Sequence, residues 1–279
     1  MILEKKVEDK IDQVGIFSLM SLSSITKYLD KNPLQVPPSP ITKLPVLVSD
    51  SLGNCLRVHH NSRIPLQFFT YSGATSAVAI DRAIPELEKL SRGSKPLVVY
   101  VWLGVCDITK KIHRGPGHRQ RQIELRYNSL GAATTNILEQ FDRIKKFVIS
   151  KQGFLKFITI PVYSAKLYNT YLGHPNPENF ETTDKFLIEE INGLNQRIYD
   201  LNQSLGRNTL QFHLDIVKVR GRGRQSFNYN LLKDGIHPDS QLSEKWLRRL
   251  ELDIVNECWS DATPDVLTLN VDPQELLTL

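Results

Sequence analysis

Val46-Leu47-Val48-Ser49-Asp50-Ser51-Leu52-Gly53 reads as a buried strand that stops abruptly at an acid, a hydroxyl and a glycine. A short, unbroken apolar run between turn residues is the pattern of a strand covered on both faces, as happens where helices flank a parallel sheet. With this first strand taken as Leu44 to Val48, runs of the same kind recur at Ile64 to Tyr71, Pro96 to Leu103, Phe154 to Pro161 and Leu210 to Val217. Helical periodicity fills the intervals: Ile137, Phe141, Ile144 and Val148 in one, and Leu187, Ile191, Leu194, Ile198, Leu201 and Leu205 in another. Gly206 is placed to end that second helix, and a last helix spans Gln241 to Cys258. The alternation predicts an α/β domain with a five-stranded parallel sheet between helical layers.

That domain is expected to occupy residues 41–258. Residues 1–40 read as an appendage, with a short amphipathic helix over Ile16 to Leu29. An extended linker, Asn32-Pro33-Leu34-Gln35-Val36-Pro37-Pro38-Ser39-Pro40, follows, because its prolines cannot continue a helix or a central strand. Residues 259–279 read as an acidic, turn-rich tail. With 279 residues, 41% of them hydrophobic, the chain can bury a sizeable core. A net charge of +5, from 35 basic and 30 acidic residues, is too mild to name a partner by itself. Cys55, Cys106 and Cys258 show no paired spacing, which argues against a disulfide framework or a thiolate metal site and for a reducing compartment. The N-terminus lacks the features of a signal peptide, and no stretch approaches the ~20 apolar residues of a membrane span, so an intracellular protein is expected.

In an open parallel sheet the loops that follow the strands gather at one edge. This places Asp50-Ser51-Leu52-Gly53, Ser72-Gly73-Ala74-Thr75, Gly104-Val105-Cys106-Asp107 and Asp234-Gly235-Ile236-His237-Pro238 together. A serine hydroxyl is a weak nucleophile until an imidazole removes its proton, and the imidazole needs a carboxylate to fix its tautomer. Asp234 and His237, three residues apart, can supply both to Ser51. The Ser51 amide, at a helix start, and the Gly73 amide, with no side chain to block it, can face a developing oxyanion. Each motif alone also reads as an ordinary turn, with Asp239 or Ser240 capping the last helix.

Taken together, the four blocks resemble the SGNH, or GDSL-type, hydrolases over roughly Leu44 to Val255. Ser49-Asp50-Ser51-Leu52 stands for Gly-Asp-Ser-Leu, Gly73 for the oxyanion glycine, Gly104-Val105-Cys106-Asp107 for Gly-x-Asn-Asp, and Asp234 to His237 for Asp-x-x-His. The resemblance implies a flavodoxin-like α/β/α sandwich and a Ser51, His237, Asp234 esterase on a small acyl or acetyl ester, without a cofactor or metal. Two positions depart from the pattern: Ser49 replaces a glycine, and Cys106 replaces the asparagine that implies a third oxyanion donor. A thiol is a poor donor, and losing one oxyanion donor costs about 10²–10³ in turnover, roughly 3 kcal/mol.

Two basic loops leave the same edge, one with Lys110, Lys111, Arg114, Arg119 and Arg121, the other with Arg220, Arg222 and Arg224. They read either as solvated loops or as a positive rim for an anionic substrate or nucleic acid. A catalytically weak module that binds a polyanion is therefore the alternative function. His59 and His60 lack partners at a metal-ligand spacing and are expected to face solvent.

Overall fold

A computed structural model describes residues 24–60, 63–114, 120–220 and 224–259. The central sheet is formed by β1 (Leu44–Ser49), β2 (Gln67–Thr70), β3 (Leu97–Trp102) and β6 (Phe154–Phe157), in the order β2-β1-β3-β6 and parallel throughout. All six residues of β3 are buried, as the unbroken apolar run requires of a strand with helices on both faces. On one face lie α1 (Ser51–Arg57) and α7 (Ser240–Cys258), packed on each other; on the other, α2 (Ser76–Ser91), α4 (Ala132–Ser150) and α6 (Glu181–Ser204) pack in sequence. The chain is a three-layer α/β/α sandwich. Trp102 of β3 packs edge-on against both Phe212 and Trp246 of α7, and those two rings stack at 5.2 Å.

The fifth strand is where sequence and structure differ. Leu210 makes a single parallel bridge to Ile158, and Phe212–Ile216 turns into a 3₁₀ segment. The physical reason lies in α6. Asn202 accepts the Phe157 N–H at 2.9 Å and donates to the Phe157 carbonyl at 2.7 Å, while Asn195, two turns earlier, does the same for Ile160 at 2.8 Å each. The Asn202 amide thus takes backbone groups on the outer edge of β6 that a longer neighbouring strand would have paired, and Asn195 holds the chain beyond the end of β6.

The basic loops are also partly regular. β4 (Thr109–Arg114) and β5 (Gln120–Leu125) form one antiparallel hairpin, and β7 (Val217–Arg220) and β8 (Arg224–Phe227) another. The short helices α3 (Val105–Ile108) and α5 (Ala165–Tyr171) stand between strand ends and these additions. The expected helix over Ile16 to Leu29 is described only from residue 24, and residues 24–31 are helical. Of the acidic tail, residues 260–279 lie outside the described residues. Among the described residues, no helix is long and apolar enough to cross a membrane.

Candidate active site

β1 delivers Asp50 and Ser51 to the C-terminal edge of the sheet, where the chain turns into α1. Asp50 caps that helix by accepting the Leu52 N–H at 2.9 Å. Ser49, in place of a glycine, is fully buried and used: its hydroxyl donates to the Trp102 carbonyl at 2.9 Å and accepts the Gly53 N–H at 3.1 Å. The exchange therefore pins β1 to β3 and to the first turn of α1.

Ser51 Oγ lies 2.9 Å from His237 Nε2, and His237 Nδ1 lies 2.7 Å from Asp234 Oδ2. The other oxygen, Asp234 Oδ1, accepts the backbone N–H groups of Ile236 at 3.0 Å and His237 at 2.7 Å. Burial pushes the Asp234 carboxyl up, but the hydrogen bonds from the His237 ring and from both amides outweigh it, so the group sits below its usual range and is ionised. Gly235 makes the turn tight. Its φ is +88°, and a Cβ there would meet Leu167 Cβ at 2.8 Å and the Tyr168 nitrogen at 2.9 Å, so only glycine lets α5 close behind the histidine loop.

Gly73 has a φ of +74°, which favours glycine, with open space where a Cβ would stand. Its loop is held from behind: Asp107 accepts the Ser76 N–H at 2.8 and 3.1 Å and the Ser76 hydroxyl at 2.8 Å, tying the end of β3 to the start of α2. Cys106 sits on α3, half-buried, and its carbonyl accepts from Arg126 Nε at 3.2 Å and Nη2 at 3.0 Å. Burial, with Asp50 and Asp107 nearby, pushes its thiol up to about 12, so Cys106 is a neutral thiol and no thiolate nucleophile.

The rim residues are only partly accounted for. Lys110 and Lys111 of β4 and Arg121 of β5 are exposed, and Lys111 Nζ stands 5.5 Å from the centre of the Tyr168 ring. Arg119 and Arg222 lie outside the described residues, as do the side chains of Arg114, Arg220 and Arg224. His60 departs from its expectation: it is largely buried, packs on the Phe68 ring at 5.2 Å and meets Glu251 at 3.3 Å. No cluster suited to a metal ion is found among the described residues. The contacts of Asp107 and Arg126 join separate loops and are not legible in the sequence, apart from the Gly-x-Asn-Asp pattern at Asp107, whereas Asp50 contacts its own turn at Leu52.

No protein-family model matches the sequence, and no curated protein matches it. Among solved structures, the chain is similar to a GDSL-like lipase from Bacteroides thetaiotaomicron, with a TM-score of 0.52 at 16% identity, covering 84% of this chain and 98% of that one. The fold is SGNH hydrolase-like. It is also similar to a lipase/acylhydrolase from Enterococcus faecalis (TM-score 0.46, 13% identity, 77% of this chain and 97% of that one). A third similarity is to a lipolytic protein of the G-D-S-L family from Veillonella parvula (TM-score 0.47, 10% identity, 77% and 99%). Within this fold, Ser51 opens α1 after β1, Gly73 lies in the turn after β2 and Cys106 sits in α3 after β3, while the Asp234 to His237 turn lies between β8 and α7 and does not follow a fifth strand of the sheet, which the sequence suggests.

Proposed function

We propose that the protein is an acyl hydrolase acting on a small acyl or acetyl ester. The observation that carries this reading is the unbroken chain from Ser51 Oγ through the His237 ring to the Asp234 carboxylate, at 2.9 and 2.7 Å. These separations are those of a nucleophile, its base and the group that orients the base. In the reaction, the Ser51 hydroxyl proton moves to His237 Nε2 as Oγ bonds to the ester carbon. The imidazolium, held by Asp234, then gives the proton to the leaving alcohol as the ester C–O bond breaks. Water repeats the sequence on the acyl-serine, releasing the acid and restoring Ser51. The Ser51 and Gly73 amides serve the oxyanion, with Cys106 beside them in place of a stronger donor.

Hydrolysis of a short acyl ester of a chromogenic phenol by the wild type, Ser51→Ala and Cys106→Asn tests this. Ser51→Ala abolishes turnover and Cys106→Asn raises it, by up to about 10²-fold. Equal, background rates in all three proteins sink the reading. In that event the basic β4–β5 and β7–β8 hairpins favour polyanion binding. Its mark is salt-sensitive affinity for single-stranded RNA that weakens when Arg220, Arg222 and Arg224 become Ala.

A further inference from the structure

Asp50 precedes the nucleophile, is 1% exposed, and has one carboxyl oxygen that nothing explains. Oδ1 caps α1 through the Leu52 N–H, but Oδ2 is buried with no hydrogen-bond partner. A buried carboxylate oxygen left bare is costly, and the usual resolution is that the group keeps its proton. The surroundings divide: burial and Asp107 favour the protonated form, while the Leu52 N–H and His237 favour the ionised one, and burial outweighs them. The group feels His237 from the loop before α7 and Asp107 from α3, and its own charge bears on Cys106, on Tyr163 after β6 and on Cys55 of α1. Among these, Cys106 and Tyr163 are held neutral by burial, Asp107 is spent on Ser76, and His237 is engaged by Asp234. None of them neutralises a charge on Oδ2.

We propose that Asp50 works as a neutral acid, its proton resting on Oδ2, so that no negative charge stands behind the developing oxyanion on the side where Cys106 supplies no amide. This deepens the acyl-transfer reading and rests on it. Asp50 is a positioning residue here: it acts through the field at Ser51 and Cys106, and its proton stays in place throughout. Burial raises the carboxyl to about 7, against the pull of the Leu52 N–H and of His237. The sign follows. An acid raised this way is neutral below that pH and ionises above it, so turnover falls as pH rises through about 7.

The test compares wild type with Asp50→Asn. Asparagine caps α1 equally well, cannot ionise, and offers an N–H where Oδ2 lies. Infrared difference spectra at pH 6 are expected to show a protonated-carboxyl stretch in the wild type that is missing from Asp50→Asn. The pH profile of kcat/KM is expected to fall about tenfold per unit above its basic midpoint in the wild type, and that limb is expected to be absent from Asp50→Asn. A spectrum unchanged by the substitution overturns the proposal, as does a basic limb that survives it. If no protein shows Ser51-dependent turnover, the acyl-hydrolase reading fails, and the infrared band alone decides whether Asp50 holds its proton.

Discussion

Ser49 and Gly53 form a matched pair, and the match was half legible in the sequence. A serine at the glycine position of the GDSL pattern is visible at once; that its hydroxyl serves β3 and α1 together is not, because Trp102 lies far along the chain. Gly53 follows from Ser49. A Cβ at residue 53 would stand 2.7 Å from Ser49 Cβ and 2.8 Å from Thr70 Cγ2, both attached to strands that cannot retreat. Gly53→Ala is therefore expected to destabilise the protein by about 1–3 kcal/mol, as overpacking of a rigid site does, with a matching loss in urea midpoint. A midpoint unchanged from the wild type would mean that the β1–α1 junction yields more easily than its packing indicates. That Asp234 can engage His237 is legible because Asp-x-x-His is a local pattern, and Ser51 stands out because it ends an apolar strand run; that Ser51 and His237 lie 2.9 Å apart depends on the path of the chain between β6 and α7. Asp50 was read only as part of a turn, since its bare oxygen depends on what Cys106 and Tyr163 leave unfilled.

At the level of elements, the periodicity of α6 gave its buried face correctly, but Asn195 and Asn202 lie on that same face, seven residues apart. Buried polar residues amid leucines and isoleucines mark a partner needing hydrogen bonds, here the β6 edge. Apolar content alone cannot say whether Leu210 to Val217 pairs along its length or touches once, so the sequence suggests a full fifth strand where the structure has a single bridge at Leu210. Asn202→Ala tests this account. It leaves the Phe157 N–H and carbonyl without their side-chain partner, at about 1–3 kcal/mol for each buried orphan, so a loss of about 2–6 kcal/mol is expected in chemical denaturation. A loss under about 0.5 kcal/mol, the range of an ordinary surface substitution, would mean that residues 208–212 move in to pair with β6 and that the amides merely accompany the short strand.

For the molecule as a whole, the extent of the domain turns on residues 24–40. Proline content alone made them a linker, since composition does not reveal where an extended segment lies. Ile25 is buried at 2% exposure in the common core, and Leu29, Leu34 and Val36 pack against it. Polar contacts fix the path over α7: Arg248 donates to the Asn32 carbonyl at 2.8 Å, Trp259 Nε1 to the Ser39 carbonyl at 2.8 Å, and Lys245 stands 5.2 Å from the Tyr28 ring centre. Thr42 closes the path by donating to the Cys258 carbonyl through its amide and its hydroxyl, each at 2.8 Å. A chain starting at residue 41 uncovers the outer side of α7 and loses the Ile25 burial, worth about 1.5–3 kcal/mol alone. Its thermal midpoint is expected to drop on the order of 5–10 °C, given about 2–4 °C per kcal/mol at this size. If the truncated chain melts with the full one, residues 24–40 are a separable appendage; if it melts lower while keeping Ser51-dependent turnover, they belong to the fold and not to the site.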